Sequence, residues 1–368
     1  MFGKLIIGYY LVFVIWCLVI VTLSNAFYKT DTRSRTEVEG KTMLILGKTD
    51  LEELLPMEEV LDVLAMGFRE VKEGRCVVPV RFHLSVEEYQ GQFLFMPAFL
   101  PGLKQSGTKI VSVFPQNTSK GKPTIYATYL LSDPTTGELL AIIEGATLTG
   151  IRTGGASGLA TRYLARKDAK VLGIIGTGFQ SFFQFKAIQA VRPIEEVWAY
   201  DLDPRRLESF CKKLNPLVMI HPASNPSEAV RQSDILVTST TSKAPVFSGR
   251  DLKPGTHINA IGAFRPDMRE ADDETILRAM IVVDTYEGCL SEAGDLLIPM
   301  GEGKLKKEAI HGDLGDLVTG RKKGRRSDEE ITFFKSVGFA MEDAVTAHRA
   351  YEKAIREGKG QRIEMSSS

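Results

Sequence analysis

Three basic side chains stand in stretches that are otherwise apolar or made of small residues. Arg81 follows a proline in a β-rich run, Lys109 lies in "GTKIVSVFP" and Arg152 lies in "TGIRTGGAS". A charge in such surroundings is expected to be partly buried and to need an anionic partner. Guanidinium groups bind a carboxylate through two parallel hydrogen bonds, and burial can lower the pKa of a lysine until it exchanges protons near neutrality. The trio predicts either a carboxylate-binding site with a proton-transferring lysine or three structural ion pairs.

A glycine pattern in the second half of the chain indicates a dinucleotide site. "KVLGIIGTGFQSFFQFKAI" places Gly176, Gly178 and Ser181 between an apolar strand and a helix. Glycines permit the tight turn and the close approach of a pyrophosphate, whose charge the helix N-terminus favours. The next strand, "EVWAYD", ends at Asp201, whose carboxylate can accept hydrogen bonds from an adenosine ribose and repels a 2′-phosphate. The pattern predicts NAD(H) as the preferred cofactor, while the two arginines of "DLDPRR" leave NADP(H) open.

Strand and helix patterns alternate between residues 169 and 284, as in a doubly wound parallel sheet. The predicted strands are "KVLGIIG", "EVWAYD", "LVMIHPA", "DILVTST", "HINAIG" and "MIVVD". Thr238 and Thr240 end the fourth of them at the crevice side of such a sheet. They are predicted to contact the cofactor or, alternatively, to be ordinary strand-end hydroxyls.

The basic trio lies outside the alternating strands and helices, in a β-rich region and in a helix of small residues. Residues 77–140 contain several β-rich runs with turn signals between them, among them the hairpin chemistry of "SDPTTGEL". "ATLTGIRTGGASGLATRYLAR" predicts a helix of small residues that can pack closely. The tail "ITFFKSVGFAMEDAVTAHRAYEKAIREG" predicts one long amphipathic helix.

Composition excludes several classes of function. The 368 residues carry 46 Lys plus Arg and 46 Asp plus Glu, so the basic excess typical of a nucleic-acid binder is missing. Neither the cysteines nor the histidines have the spacing of a metal site, and the cysteine spacing favours a reducing compartment. The sequence therefore predicts a small-molecule enzyme without a metal or a nucleic-acid partner.

An apolar run, "LIIGYYLVFVIWCLVIVTL", occupies residues 5–23 without a single charge. As a helix it would span ~28 Å, close to the hydrocarbon thickness of a bilayer. It exceeds the apolar part of a typical cleaved signal peptide. More basic residues follow the run than precede it: Lys29, Arg33 and Arg35 come after it and Lys4 comes before it. This bias predicts that the part of the chain after the run stays in the cytosol. The run predicts either a single-pass anchor with a cytoplasmic catalytic part or a start codon assigned too far upstream.

Four stretches, in order along the chain, together resemble the ornithine cyclodeaminase/mu-crystallin family. They are "GTKIVSVFPQNTSKGKPTIYATYLLSDPTTGELLAIIEGATLTGIRTGGASGLATRYLAR", "GTGFQSFFQ", "NAIGAFRPDMRE" and "FFKSVGFAMEDAVTA". The resemblance covers roughly Met43 to Met365. It implies a homodimer and an α/β fold in which a Rossmann doubly wound parallel sheet is inserted in a discontinuous substrate-binding and dimerisation domain. The implied ranges are an N-terminal segment and linker at 1–42, the substrate domain at 43–165 and 328–368, and the Rossmann domain at 166–327.

The resemblance also implies roles for particular residues. Arg81, Lys109 and Arg152 match the residues that hold the substrate carboxylate and assist proton transfer. The positions that match cofactor contacts are Thr124, Thr153, Gly176, Gly178, Phe179, Gln180, Asp201, Thr238, Ile258 and Ile261.

The chain departs from one chemistry of the family at three positions. Ornithine cyclodeaminases carry a glutamate where this chain has Leu94, an aspartate where it has Phe264 and a cofactor-side lysine where it has Met268. "GAFRPDMRE" looks more like the mu-crystallin branch, which is similar to reductases of cyclic imino acids. The resemblance thus favours an NAD(P)H-dependent reductase of a small imino acid.

Other functions stay open. A cyclodeaminase that converts ornithine to proline and an alanine dehydrogenase are alternatives within the same family. A non-enzymatic, crystallin-like ligand-binding protein is an alternative of another class. The retained Lys109, Arg81, Arg152 and Asp201 argue against the last alternative, because a pure binder has no use for a poised lysine beside a nicotinamide.

Overall fold

Two β-sheets carry the fold, and the computed structural model describes residues 42–364 of the chain. The strands are β1 (Thr42–Leu46), β2 (Phe82–Val86), β3 (Gly91–Leu100), β4 (Gln105–Val113), β5 (Ile125–Ser132), β6 (Leu139–Glu144), β7 (Val171–Ile175), β8 (Glu196–Tyr200), β9 (Met219–Pro222), β10 (Ile235–Thr238), β11 (His257–Ala260), β12 (Met280–Val283), β13 (Ile310–Asp313), β14 (Thr332–Lys335) and β15 (Gln361–Glu364). The α-helices are α1 (Lys48–Leu54), α2 (Met57–Lys72), α3 (Gly145–Leu164), α4 (Phe179–Gln189), α5 (Pro204–Leu214), α6 (Pro226–Gln232), α7 (Asp273–Arg278), α8 (Tyr286–Glu292), α9 (Gly294–Gly301), α10 (Leu314–Val318) and α11 (Ala340–Glu357).

The first sheet has the order β15-β1-β6-β5-β4-β3-β2. Its strands β2 to β6 form consecutive antiparallel hairpins. The predicted hairpin between β5 and β6 is confirmed: Gly137 has φ +77° and the amide of Asp133 donates to the carbonyl of Glu138 over 2.8 Å. This sheet holds Lys109 in β4, and α2 and α11 pack on it around a shared apolar core.

The second sheet has the order β13-β12-β14-β11-β10-β7-β8-β9, with every pair of neighbours parallel. The predicted doubly wound α/β fold is confirmed. Chain order reverses between β7 and β10, and sheets of this kind bind their ligands at the carboxyl ends of the strands beside such a reversal. The residues expected to bind the cofactor follow those strand ends.

The prediction of one long helix from residue 331 is wrong over its first part. Residues 332–335 form β14, which lies between β11 and β12 with all four side chains buried. A strand covered on both faces reads as a continuous apolar run, which in "ITFFKS" merges with the helix pattern after it. Gly338, with φ +84°, interrupts the chain before α11 begins at Ala340.

The small-residue helix is confirmed as α3. Gly150 and Gly154 face Phe183 of α4, so a side chain at either position would collide with it. The close approach joins the helix that carries Arg152 to the helix that follows the glycine turn. Both predicted sites are therefore linked through one tightly packed pair of helices.

Two predictions are not settled by the strand assignments. The division into domains stays a prediction; β14, at 332–335, pairs in the parallel sheet although the predicted boundary lies at 327/328. The apolar run 5–23 lies outside the described residues, so the membrane tether also stays a prediction. Within residues 42–364, no helix combines the length and apolar character that crossing a bilayer requires.

Candidate active site

The carboxyl ends of four parallel strands bring most of the predicted cofactor residues to one edge of the sheet. The glycine turn follows β7, and Asp201 follows β8. The remaining positions are Gly178 at the N-cap of α4, Phe179 and Gln180 in its first turn, Thr238 at the end of β10, Ile258 within β11 and Ile261 just after it.

The turn after β7 requires glycine at its first position. Gly176 has φ +91°, and a Cβ there would lie 2.8 Å from the carbonyl oxygen of Ser239. Ser239 in turn donates its hydroxyl to the carbonyl of Gly176 over 2.7 Å. A Cβ on Gly178 would meet nothing within 4 Å. The turn is therefore tightly packed on the protein side and open on the side of the α4 N-terminus, where a phosphate would bind.

Asp201 is held in place at the end of β8. Its Oδ2 accepts hydrogen bonds from the amide (2.7 Å) and the hydroxyl (3.0 Å) of Thr177, within the glycine turn. Its Oδ1 accepts from the amide of Asp203 over 2.9 Å. The two bonds from Thr177 occupy both acceptor sites of Oδ2, whereas Oδ1 keeps a lone pair for a further donor. The arrangement fits a carboxylate that receives a ribose hydroxyl.

Two polar atoms at the same edge lack partners. The hydroxyl of Thr238 and Oε1 of Gln180 are buried without a hydrogen bond to any described residue. Because buried polar groups are almost always paired, such atoms indicate a ligand or water that satisfies them. Ile258 and Ile261 are buried beside them, whereas the ring of Phe179 is 57% exposed. The turn, the fixed carboxylate and the unpaired groups together fit a dinucleotide.

Thr153 and Thr124 stand apart from this cluster. Thr153 is buried in α3 directly after Arg152. Thr124 lies in the loop before β5, where its carbonyl accepts a hydrogen bond from the amide of Phe114 over 2.8 Å. Over the described residues, no hydrogen bond joins either threonine to the glycine turn. Their contact with the cofactor stays a prediction.

Lys109 lies in β4 with its side chain 1% exposed, and it has a carboxylate partner. Its Nζ donates to Oδ2 of Asp343, in the first turn of α11, over 2.7 Å. Burial, and secondly the positive charge of Arg152, lower the pKa of Lys109 to about 8, although Asp343 opposes the shift. The ammonium can therefore give up a proton near neutral pH.

Arg152 shares that carboxylate. Its Nε donates to Oδ1 of Asp343 over 3.1 Å, and its Nη1 donates to Oε2 of Glu342 over 2.6 Å. Among the described residues, its Nη2 has no acceptor, so one donor nitrogen is free for a ligand. Burial raises the pKa of Glu342 to about 7, and Arg152 opposes that shift. Both acids occupy the first helical turn, where the helix dipole stabilises negative charge.

Arg81 lies in the segment before β2 and reaches the chain just before α11. Its Nη2 donates to the carbonyls of Val337 (3.1 Å) and Gly338 (2.9 Å), and it lies 3.1 Å from Oε2 of Glu292. Asp284 fixes this stretch from the other side by accepting the amides of Val337 (2.8 Å) and Gly338 (2.9 Å). The carbonyls are thereby oriented toward Arg81.

A small cavity lies beside Arg81 and Glu292. Gly338 lines it and also packs on Arg152, where a Cβ would come within 2.7 Å of Nη1. Met96 lines it and stands directly opposite Lys109 across β3 and β4, so the two side chains share a face of the sheet. Residues lining the cavity include Val78, Val80, Arg81, Met96, Glu292 and Gly338. Arg81 thus lines the cavity itself, whereas Lys109 lies behind the lining residue Met96 and Arg152 lies behind the lining residue Gly338.

Sequence reasoning missed the acids of this site. Glu342 and Asp343 fall within a helix whose pattern is amphipathic, where acids are ordinarily expected on the solvated face. Their apolar neighbours Met341, Ala344 and Val345 are all buried, so no residue between 341 and 345 faces solvent. The crowding of apolar and small residues around "ED" is the signal that could have revealed them. Glu292 and Asp284 carry no comparable signal.

The positions that depart from the cyclodeaminase pattern lie in two places. Leu94 is buried in β3, opposite Val111. Met268 is buried, and Phe264 is partly exposed in the loop after β11. Glu270 fixes that loop by accepting the amides of Gly262 (2.8 Å) and Ala263 (3.2 Å). An apolar side chain therefore stands at each of the three positions.

Comparison with known proteins identifies what this arrangement is similar to. A model of the ornithine cyclodeaminase/mu-crystallin family matches residues 41–358. A Δ1-pyrroline-2-carboxylate reductase of Bacillus cereus is 43% identical over 325 residues, which cover 88% of this chain and 100% of that protein.

Solved structures give the same result. The chain superposes with a TM-score of 0.83 and 45% identity on the Δ1-pyrroline-2-carboxylate reductase of Thermococcus litoralis in complex with NADH and L-proline, covering 87% of this chain and 100% of that one. An archaeal alanine dehydrogenase dimer with bound NAD superposes with a TM-score of 0.81 and 37% identity, covering 88% and 100%.

Proposed function

This chain belongs to the ornithine cyclodeaminase/mu-crystallin family, and from that premise we propose that it is an NAD(P)H-dependent reductase of a small cyclic imino acid of the Δ1-pyrroline-2-carboxylate type. It is an oxidoreductase that acts on a carbon–nitrogen bond beside a carboxylate. The nicotinamide, when bound at the glycine turn, supplies the hydride for the carbon of that bond.

The observation that carries the proposal is that the three basic residues are linked: Lys109 and Arg152 share Asp343. Gly338 packs on Arg152 and accepts a hydrogen bond from Arg81. Their contacts with Asp343, Glu342 and the carbonyls of 337–338 fix their orientation but leave donor hydrogens free. Arginine forks match a carboxylate in geometry as well as in charge. We assign the carboxylate of the imino acid to Arg81 and Arg152.

Lys109 is assigned to proton transfer. When a protonated imine is reduced at carbon, the electron pair of its C=N bond becomes a lone pair on nitrogen. The Lys109 ammonium donates a proton to that lone pair, leaving a neutral lysine and a charged amine. A lysine whose pKa is about 8 can perform this step in either direction near neutral pH.

The reaction can be tested directly with candidate substrates. We expect NADH oxidation with Δ1-pyrroline-2-carboxylate or Δ1-piperideine-2-carboxylate and little proline from ornithine. Cyclodeamination needs carboxylates that accept protons and orient the side-chain ammonium, and Leu94 and Phe264 can do neither. General base catalysis is worth ~10²–10⁴-fold, so losing both groups should leave that activity negligible.

Pyruvate with ammonia is the further arm of that assay, because the archaeal relative in complex with NAD is an alanine dehydrogenase. Comparing kcat/KM for the four substrates identifies the reaction. Efficient conversion of ornithine to proline with catalytic NAD would contradict the proposal that the enzyme is an imino-acid reductase. A higher kcat/KM for pyruvate with ammonia would instead identify the enzyme as an alanine dehydrogenase.

Asp201 is expected to make NADH the better cofactor. Two like charges about 4 Å apart near a protein surface repel by ~1–4 kcal/mol, so kcat/KM for NADPH should be at least about 5-fold lower. Asp201→Ser should narrow or invert the preference. Asp203→Ser is the matched control, because that carboxylate caps α5 through the amide of Arg205 instead of facing the turn. A parent enzyme that already prefers NADPH would show that the role given to Asp201 is wrong.

We also propose that the enzyme is a homodimer. The edge strand β2 presents Phe82 and Leu84, 62% and 47% exposed, on one face, and Val80 is exposed just before it. Adjacent exposed apolar side chains on an edge strand favour association. The archaeal alanine dehydrogenase relative is a dimer, which supports the same assembly here.

A further inference from the structure

Glu292 is a carboxylate in the cavity that neither the family motifs nor the basic trio accounts for. It is the last residue of α8, and its side chain is 16% exposed. The C-terminal end of a helix disfavours negative charge, and partial burial adds a desolvation cost. Burial accordingly raises the pKa of Glu292, with Arg81 opposing. A carboxylate in so unfavourable a position needs a positive or donating partner.

Arg81 does not fully supply that partner. Its Nη2 lies 3.1 Å from Oε2 of Glu292. The hydrogens of that nitrogen, however, are directed to the carbonyls of Val337 and Gly338. Oε2 is buried and receives no hydrogen bond from any described residue. The cavity wall therefore contains a carboxylate oxygen that lies beside a positive charge and still lacks a donor.

We propose that Glu292 accepts the N–H of the substrate's imine nitrogen, and of the product amine, and thereby makes the site specific for nitrogen over oxygen beside the carboxylate. The inference rests on the proposed function. If Arg81 binds the substrate carboxylate, the adjacent ring atom falls next to Glu292, since both residues line the same cavity. An imine is a better hydride acceptor when protonated, and an ionised carboxylate stabilises that form. Lys109 serves the lone pair that develops perpendicular to the ring, so the two groups do not compete.

The test compares two ligands that differ only at the atom in question. L-proline offers N–H groups, whereas tetrahydrofuran-2-carboxylate of the same hand has the same ring and carboxylate with an ether oxygen. Their dissociation constants are measured by calorimetry with saturating NAD⁺. A hydrogen bond to a charged group is worth about 10- to 100-fold in affinity. The parent enzyme should bind proline more tightly than the ether by about that factor. In Glu292→Gln the ratio of the two dissociation constants should come close to one, and kcat/KM for the imine should fall by a similar factor.

Glu88→Gln is the control. Glu88 is an exposed acid outside the cavity lining, so its loss changes the net charge equally but should leave the proline preference intact. If Glu292→Gln does not fold, Glu292→Asp provides the same test, because shortening the side chain withdraws the carboxylate from the nitrogen.

The outcomes separate the two proposals. An unchanged proline preference in a folded Glu292 variant overturns the assignment of Glu292, and so does an equal loss of affinity for both ligands, which a purely structural ion pair with Arg81 would produce. A parent enzyme that neither binds proline nor reduces a cyclic imine contradicts the proposed function instead.

Discussion

Lys109→Ala is expected to lower kcat for imine reduction by ~10²–10⁴-fold, the usual contribution of a positioned proton-transfer group. The dissociation constant for NADH should stay nearly unchanged, because Lys109 contacts Asp343 of α11 and makes no hydrogen bond to the glycine turn. Steady-state kinetics give kcat, and quenching of protein fluorescence by NADH gives the binding constant. The two readings together separate a chemical role from a binding role.

Two further variants keep this result interpretable. Lys109→Met retains most of the side-chain volume in the buried strand, so a loss of activity shared by both variants does not come from a cavity. Lys122→Ala removes an exposed lysine from the loop between β4 and β5 and should leave kcat unchanged. Loss of NADH binding with normal turnover in the Lys109 variants would place this residue on the nucleotide.

The sequence predicts those parts of the fold whose pattern can be recognised within a short stretch of the chain. The parallel sheet is predictable because its buried strands are short apolar runs separated by helices and glycine turns, each readable over about ten residues. Gly176 and Asp201 are only 25 residues apart within one such unit. β14 could not be predicted in this way, because hydrophobic periodicity detects no turn between "TFFK" and the helix that follows it.

The acids of the site escape prediction for another reason. Lys109 and Asp343 are 234 residues apart, and Arg152 and Asp343 are 191 apart. Only the folded chain pairs them, since α11 packs on the face of the first sheet to which β4 contributes Lys109. A buried charge in an apolar strand requires a counter-charge somewhere, but nothing in the strand indicates which of the 46 acidic residues supplies it.

Asp343→Asn is expected to have two separable effects, and the larger is on stability. The carboxylate is fully buried and accepts hydrogen bonds from both Lys109 and Arg152. Removing one partner of a buried ion pair typically lowers the free energy of unfolding by ~3–5 kcal/mol, because the remaining charges are left uncompensated. Urea unfolding of the parent and the variant measures this difference.

The second effect is on the pH dependence of reduction. Asp343 raises the pKa of Lys109 against burial and Arg152, so the carboxamide should lower that pKa further below about 8. Reduction needs the protonated lysine, so kcat/KM falls as the pH rises through that pKa. In Asp343→Asn the fall should begin at lower pH. The protonation of the imine itself cannot cause the change, because the substrate is the same for both enzymes.

Glu342→Gln provides the matched control for this shift. Glu342 is adjacent in α11, is equally buried and binds Arg152, but it does not contact Lys109 and is not among the charges that set its pKa. The variant should lose stability while its alkaline fall stays at the parent position. If both variants shift the profile equally, the effect comes from a general change in the site. If neither does, Lys109 is not the group whose proton limits reduction, and the acid must be sought elsewhere around the cavity.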